Sequence, residues 1–158
     1  MSDVGDRDDA VDPLSLENQV CFALAVASRS VIALYRPVLE PMGLTHPQYL
    51  VMLALWQHAP LSVKDLSGLL QLEPATLSPL LKRLEAAGLV ERRRASTDER
   101  SLAVTLTERG RALRAEALKI PATIVERLGM DLAELRDLHQ ALTRVIAAAT
   151  EAHLAARR

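Results

Sequence analysis

Residues 76–110, TLSPLLKRLEAAGLVERRRASTDERSLAVTLTERG, restrict the fold of this chain more than any other stretch. They read as a helix, a glycine stop, a short strand running into three consecutive arginines, a charged loop and a returning strand. Gly88 stands where a helix ends on a left-handed residue. Leu102, Val104 and Leu106 alternate with small or polar residues, as a half-buried strand requires. A helix that feeds directly into a basic two-stranded wing suits nucleic acid. The helix fits the major groove, and an arginine at the wing tip reaches phosphate or the minor groove.

The preceding sequence supplies the rest of a helix-turn-helix. Ser62 caps a short helix over 63–70 with Val63, Leu66, Leu69 and Leu70 as its apolar residues, and the later helix is the reader. Pro74 suits a helix start, but Pro79 would then fall inside and cost a hydrogen bond. A start near Ala75 or Thr76 leaves Pro79 in the first turn and is therefore expected. Another helix over 46–58 turns Tyr49, Met52, Leu53 and Trp56 inward.

Long helices flank this unit. The first is expected to begin near Asp12-Pro13 or Ser15 and to reach about Leu39, where Pro41-Met42-Gly43 breaks it. It carries two apolar stripes, one through Val20, Leu24, Ala27, Val31, Leu34 and Val38, the other through Cys21, Ala25, Ser28, Ile32, Tyr35 and Leu39. Two stripes exceed what one small domain needs, so the second reads as a partner-subunit face. Thr107 with Glu108 starts a long helix toward Leu128, bent near Pro121 and ended by Gly129. A last helix over about 131–156 aligns Leu132, Leu135, Leu138, Leu142, Val145 and Ile146. The expected fold is mainly α: an acidic arm over 1–12, an N-terminal dimerisation helix over 13–43, a winged helix-turn-helix over 44–110 and C-terminal dimerisation helices over 111–158.

Composition agrees with helices and constrains the chemistry. Apolar residues make up 49% of the chain and aromatics only 3%, so the core must be built from Leu, Ala and Val. The net charge is −1, so a surface for DNA requires charge segregation. Residues 76–100 carry Lys82, Arg83, Arg92, Arg93, Arg94 and Arg100 against Glu85, Glu91, Asp98 and Glu99, a net of +2. The first twelve residues carry five aspartates against Arg7. With no unbroken run of about twenty apolar residues and no signal-peptide pattern, no membrane partner is expected, and the cytoplasm is the expected compartment. A single cysteine excludes an intrachain disulfide framework. His58, His139 and His153 are dispersed and have no cysteine pair, so no metal or cofactor is expected.

Of the basic residues, Arg92, Arg93 and Arg94 are placed to meet phosphate, which supplies affinity and salt dependence rather than sequence choice. Thr76 and Ser78, at the exposed start of the reader helix, are candidates for base or phosphate contacts. Lys82 and Arg83 are placed for the DNA backbone, although an ion pair of Arg83 with Glu85 or Asp65 is the alternative.

Leu84-Glu85-Ala86-Ala87-Gly88-Leu89-Val90, then Asp98-Glu99-Arg100, then Leu106-Thr107-Glu108-Arg109-Gly110 resemble the MarR family of bacterial winged-helix regulators. The resemblance implies a homodimer that represses by occupying palindromic operators, with Asp98 steadying the wing and Arg100 at the minor groove. Further segments resemble the OhrR organic-hydroperoxide sensors of that family. They are Glu17-Asn18-Gln19-Val20-Cys21-Phe22-Ala23-Leu24, Tyr35-Arg36-Pro37-Val38-Leu39, Pro47-Gln48-Tyr49-Leu50-Val51-Met52-Leu53-Ala54-Leu55-Trp56 and Thr76-Leu77-Ser78-Pro79-Leu80-Leu81-Lys82-Arg83-Leu84-Glu85. This implies a repressor whose sensor is Cys21, of the one-cysteine type that is restrained by a mixed disulfide with a small thiol or by overoxidation. OhrR-like chains place a tyrosine where His46 stands, one subgroup places one at Ala25, and Asp-Ser-Gly is usual where this chain has Glu73-Pro74-Ala75.

Free cysteine is often an inert buried residue, and a reactive one needs surroundings that stabilise its thiolate. Cys21 is expected beyond the first helical turn, so the dipole contributes little and hydrogen-bond donors must do the work. Tyr35 and His46 are the candidate donors, each with a plain alternative as a packed aromatic or a helix-start residue. Tyr35 follows Cys21 by fourteen positions on one helix, about 21 Å along its axis at 1.5 Å per residue. The two can meet only if an antiparallel partner chain supplies the tyrosine. Three other readings stay open. The regulator could respond to a phenolic or aromatic ligand, with Cys21 inert and Ala25 and His46 lining the pocket. Cys21 could serve a thiol peroxidase, against which the reader and wing argue. The wing could bind protein, against which three consecutive arginines argue.

Overall fold

The computed structural model describes residues 12–95 and 98–158, side chains excepted at 95 and 98–101, so the arm expected over 1–12 lies outside it but for Asp12. The order of elements is α1 (Val20–Leu39), α2 (His46–His58), β1 (Leu61–Ser62), α3 (Val63–Leu70), α4 (Pro74–Ala86), β2 (Val90–Ala95), β3 (Asp98–Leu106), α5 (Glu108–Ala117), α6 (Ile120–Leu128) and α7 (Leu132–Ala156). The chain is mainly α, with α3 and α4 as a helix-turn-helix and β2–β3 as the wing.

Caps mark where the helices begin. Thr45 accepts the amide of Gln48, while Gln48 Oε1 accepts the amide of Thr45 at 3.0 Å, a reciprocal capping box. That pairing explains how Gln48 is buried without cost. Ser62 caps α3 through Asp65 N, and Asp131 caps α7 in a second box with Glu134. α4 ends in the expected manner, with Gly88 at φ 73° and the amide of Leu89 bonded to Leu84 O.

Several expectations change, among them Leu53 of α2, expected inward and found exposed. α1 begins at Val20, not near residue 13 or 15. Residues Leu16–Asn18 form a single 3-10 turn, and Gln19 is extended, its side-chain amide donating to Pro13 O and Ser15 O at 2.8 and 3.1 Å. α4 begins at Pro74, which leaves Pro79 inside the helix. The hydrogen bond Pro79 cannot make is offset by the burial of Leu77, Leu80, Leu81 and Leu84 on one face. The helix after the wing is two helices rather than one bent one, with Pro121 in the first turn of α6. A two-residue strand not foreseen, β1, pairs Leu61 with Val104 and makes the sheet order β1-β3-β2, antiparallel throughout.

The core lies beneath the helix-turn-helix, where Met52, Leu55, Leu66, Leu77, Leu81, Leu84 and Val104 are wholly buried and Ile120 joins from α6. α1 reaches it only at its C-terminal end, where Leu39 is buried and Arg127 of α6 donates to Leu34 O. α7 buries no residue. Residues Val20–Met42 have the length and mean hydropathy of a membrane-crossing helix, but Arg29, Arg36 and Glu40 lie within them, so the apolar run is broken.

Candidate functional site

The reader helix presents two faces of opposite character. Leu77, Leu80, Leu81 and Leu84 point into the core, while Thr76, Pro79, Lys82 and Arg83 are exposed on the other side. Ser78, expected with Thr76 at the exposed start, is half-buried between them. The wing lies beside this surface, held by the β2–β3 register of Val90 with Leu106, Arg92 with Val104 and Arg94 with Leu102.

The three wing arginines, expected to act alike, do different things. Strand alternation puts Arg92 on the same face as buried Val90, and its side chain is only 22% exposed. Its Nε lies 3.2 Å from Glu85 Oε2 on the reader helix. The alignment is not that of a hydrogen bond, and Nε and Nη2 have no hydrogen-bond partner among the described residues. Arg92 thus ties the wing to α4, and it is Arg92 rather than Arg83 that takes Glu85. Arg93 pairs with Glu91 at 2.6 Å on the opposite face. Arg94 is exposed and makes no ion pair among the described residues. The side chains of Asp98 and Arg100 lie outside the described residues.

At the other end of the molecule, Tyr35, His46 and Tyr49 form an aromatic group where α1 meets α2. The Tyr35 and His46 rings stand edge to face with centroids 4.8 Å apart, and Tyr49 lies 5.9 Å from Tyr35 and 6.4 Å from His46. Burial pushes the Tyr35 phenol above its ordinary pKa and the His46 imidazole below its own. Near neutral pH both are therefore uncharged, and each carries a proton it can donate. Tyr49 is raised too, by burial and then by Tyr35. Its membership was foreshadowed by the i, i+3 spacing of His46 and Tyr49 on one helix.

Cys21 is exposed and is the second residue of α1, so it lies in the first turn, not beyond it. There the free backbone N–H groups and the positive end of the helix dipole favour negative charge. Cys21 does not join the aromatic group within the chain. Tyr35 is fourteen residues further along the same helix.

Sequence reasoning missed the joint between the reader helix and α5. Thr107 Oγ1 donates to Gly88 O at 2.6 Å and accepts from Gly110 N at 3.0 Å. Arg109 donates to Ala87 O at 3.0 Å, and the amide of Thr107 donates to Leu89 O. A Cβ at Gly110 would lie 2.0 Å from Leu89 O, so only glycine lets the chains approach this closely. Trp56 Nε1 donates to Gly110 O at 2.9 Å. Thr107 and Gly110 are visible in the sequence as a cap and a glycine three residues on, but the partners are not.

Beside Trp56 lies a cleft of about 440 Å³ between α2 and α5–α6, walled by Tyr49, Leu53, Trp56, Leu118 and Pro121, with Gln57 and Arg114 as its polar members. Neither Ala25 nor His46 lines it. His46 borders a smaller cleft of about 330 Å³ with Ile32, Arg36 and Glu40.

Comparison with known proteins agrees with this geometry. The model of the MarR family matches residues 44–102. A Bacillus subtilis protein, the organic hydroperoxide resistance transcriptional regulator, is 44% identical over 128 residues, which covers 79% of this chain and 87% of that one. Among solved structures, AbfR of Staphylococcus epidermidis is 33% identical, with 86% of this chain and 94% of that chain covered and a TM-score of 0.72. A structure of reduced AbfR bound to DNA is 34% identical, with 83% and 95% covered and a TM-score of 0.66.

Proposed function

The chain belongs to the MarR family and is a transcriptional regulator, and we propose that it is a cytoplasmic, homodimeric repressor that binds operator DNA and senses organic hydroperoxides through Cys21. The observation that carries the sensing is an exposed first-turn cysteine on a largely uncovered helix whose other end packs Tyr35 against His46 of α2, a neutral donor group. Likeness to a hydroperoxide resistance regulator supports it. A second copy laid antiparallel along α1 brings each Cys21 to the other protomer's aromatic group, and it also covers the apolar helix that would otherwise suit a membrane.

The chemistry is then a two-electron oxidation. The Cys21 thiolate attacks the distal peroxide oxygen, the O–O bond breaks, and the departing alkoxide takes a proton and leaves as the alcohol. The resulting sulfenic acid condenses with a small cellular thiol, which forms an S–S bond and releases water. The bulk added at the protomer interface shifts the spacing of the two reader helices away from one turn of DNA, roughly 34–36 Å. In the DNA-bound state Thr76 and Ser78 at the start of α4 face the groove, Lys82, Arg83 and Arg94 face the DNA backbone, and Arg100 and Asp98 serve the wing.

The test is DNA binding, with duplex from upstream of the chain's own reading frame, by reduced wild type and Cys21→Ser, each with and without cumene hydroperoxide. Release by wild type alone is expected. Retention by both leaves a DNA-binding regulator without redox sensing. The cleft between α2 and α5–α6 then favours a second reading, a phenolic or aromatic effector seated against Trp56 and Tyr49 with Arg114 beside it. Release of both proteins by hydroxybenzoate would support that reading.

A further inference from the structure

We infer that Trp56 and the turn Thr107–Gly110 are positioning residues that couple the cleft between α2 and α5 to the reader helix. The inference rests on α4 being the DNA reader. It does not rest on Cys21 being a sensor.

Three observations build the coupling. First, Trp56 faces two clefts at once, the one of about 440 Å³ with Tyr49 and Pro121 and another of about 400 Å³ with Thr105 and Arg111. A change in what fills either, or in how α5 lies, acts on the indole. Second, the indole N–H holds the carbonyl of Gly110, across 54 residues of sequence. Third, Gly110 has no freedom to absorb a shift, because its α-carbon is seated against the backbone of Leu89. Thr107 and Arg109 on the same turn grip Gly88 O and Ala87 O, the carbonyls at the end of α4. Displacement of the indole therefore reaches the end of the reader helix through backbone contacts, with no flexible side chain between Gly110 and Leu89. Close-packed contacts of this kind pass a shift on rather than deform. Coupling between two sites is reciprocal, so DNA held by α4 must in turn alter the surroundings of Trp56.

Trp56 is the only tryptophan in the chain, so its emission reports this joint alone. The experiment titrates reduced full-length protein with the upstream duplex, following Trp56 emission together with the anisotropy of a label on the DNA. Wild-type emission is expected to change in step with binding. Thr107→Val keeps the shape but loses both hydroxyl bonds. Its DNA affinity should fall about tenfold, the worth of a lost cap, and its emission should no longer follow DNA. Thr107→Ser restores the hydroxyl and should restore both signals, and the emission response read at saturating DNA separates coupling from a lost cap, which would lower affinity alone. Should Thr107→Val fail to fold by circular dichroism, Trp56→Phe serves instead: it keeps a ring and loses the N–H, and DNA affinity should fall about fivefold, as for one neutral hydrogen bond. Binding without any change in wild-type emission, or an unaltered response in Thr107→Val, overturns the coupling alone. No rise in anisotropy sinks the DNA-reading premise and the coupling with it.

Discussion

α2 and α7 are both rich in apolar residues, yet the fold treats them in opposite ways. α2 has 13 residues and buries six of them within the chain. α7 has 25 and buries none, and the 20 residues of α1 bury Leu39 alone. Leu132, Leu138, Val145, Ile146 and Leu154 all stand exposed along α7. The winged region satisfies its amphipathic pattern internally, whereas the terminal helices carry a pattern that the single chain leaves unanswered. An apolar stripe in a sequence therefore reports that a helix needs cover. It does not report where the cover comes from.

Paired substitutions test that contrast, beginning with the largest effect. Leu81→Ala empties a site in the packed region that is wholly buried, and should cost about 2–5 kcal/mol in urea unfolding. A loss below 1 kcal/mol would mean that the winged region is loosely packed. Leu138→Asp, on α7, should instead leave the helix content of the protomer intact and weaken self-association at least about tenfold by sedimentation, since a charge is placed in an apolar face. Equal sedimentation of variant and wild type breaks the contrast, because α7 would then have no partner copy to lose.

Smaller effects sharpen the picture within each region. Arg94→Ala should lower the slope of log affinity against log salt by about 0.9, the value of one phosphate. Arg92→Ala should leave that slope nearly unchanged while lowering affinity at every salt concentration, because its partner is Glu85. Identical slopes for the two variants would return all three arginines to a common role. The smallest effect sits at the seam between the regions. Burial holds the His46 pKa below 6.5 in the folded state, so the unfolded chain binds more protons as pH falls. His46 therefore has no influence on stability above pH 6.5, and stability is lost as pH drops from 6.5 through the lowered value. His46→Phe should flatten that part of the Tm–pH curve, and a curve of unchanged steepness would remove the histidine from the account.

Local chemistry was legible wherever a cap or a stop wrote it. Ser62, Thr107, Gly88 and Gly129 marked helix ends that the structure places within a residue or so. What escaped depended on contacts distant in sequence. The start of α1 is set by the side chain of Gln19 reaching back to two carbonyls, and no periodicity announces that. Pro79 misled because a single lost hydrogen bond looks decisive until four buried leucines are weighed against it. β1 is two residues long, too short for alternation to show. At the candidate site, Tyr35 and His46 were named from resemblance and are found together, but the Glu85–Arg92 pair and the Trp56–Gly110 bond depend on how the wing and α5 fold back.

The ion pairs of Arg92 and Arg93 also bear on time. A protein that searches a genome is slowed by every non-specific site it visits, and the length of each visit grows with the number of phosphates it neutralises. Here Arg92 is engaged by Glu85 of the reader helix and Arg93 by Glu91 of its own strand, so two of the three wing arginines are partly neutralised before any phosphate is met. Shorter visits to wrong sites are the expected consequence.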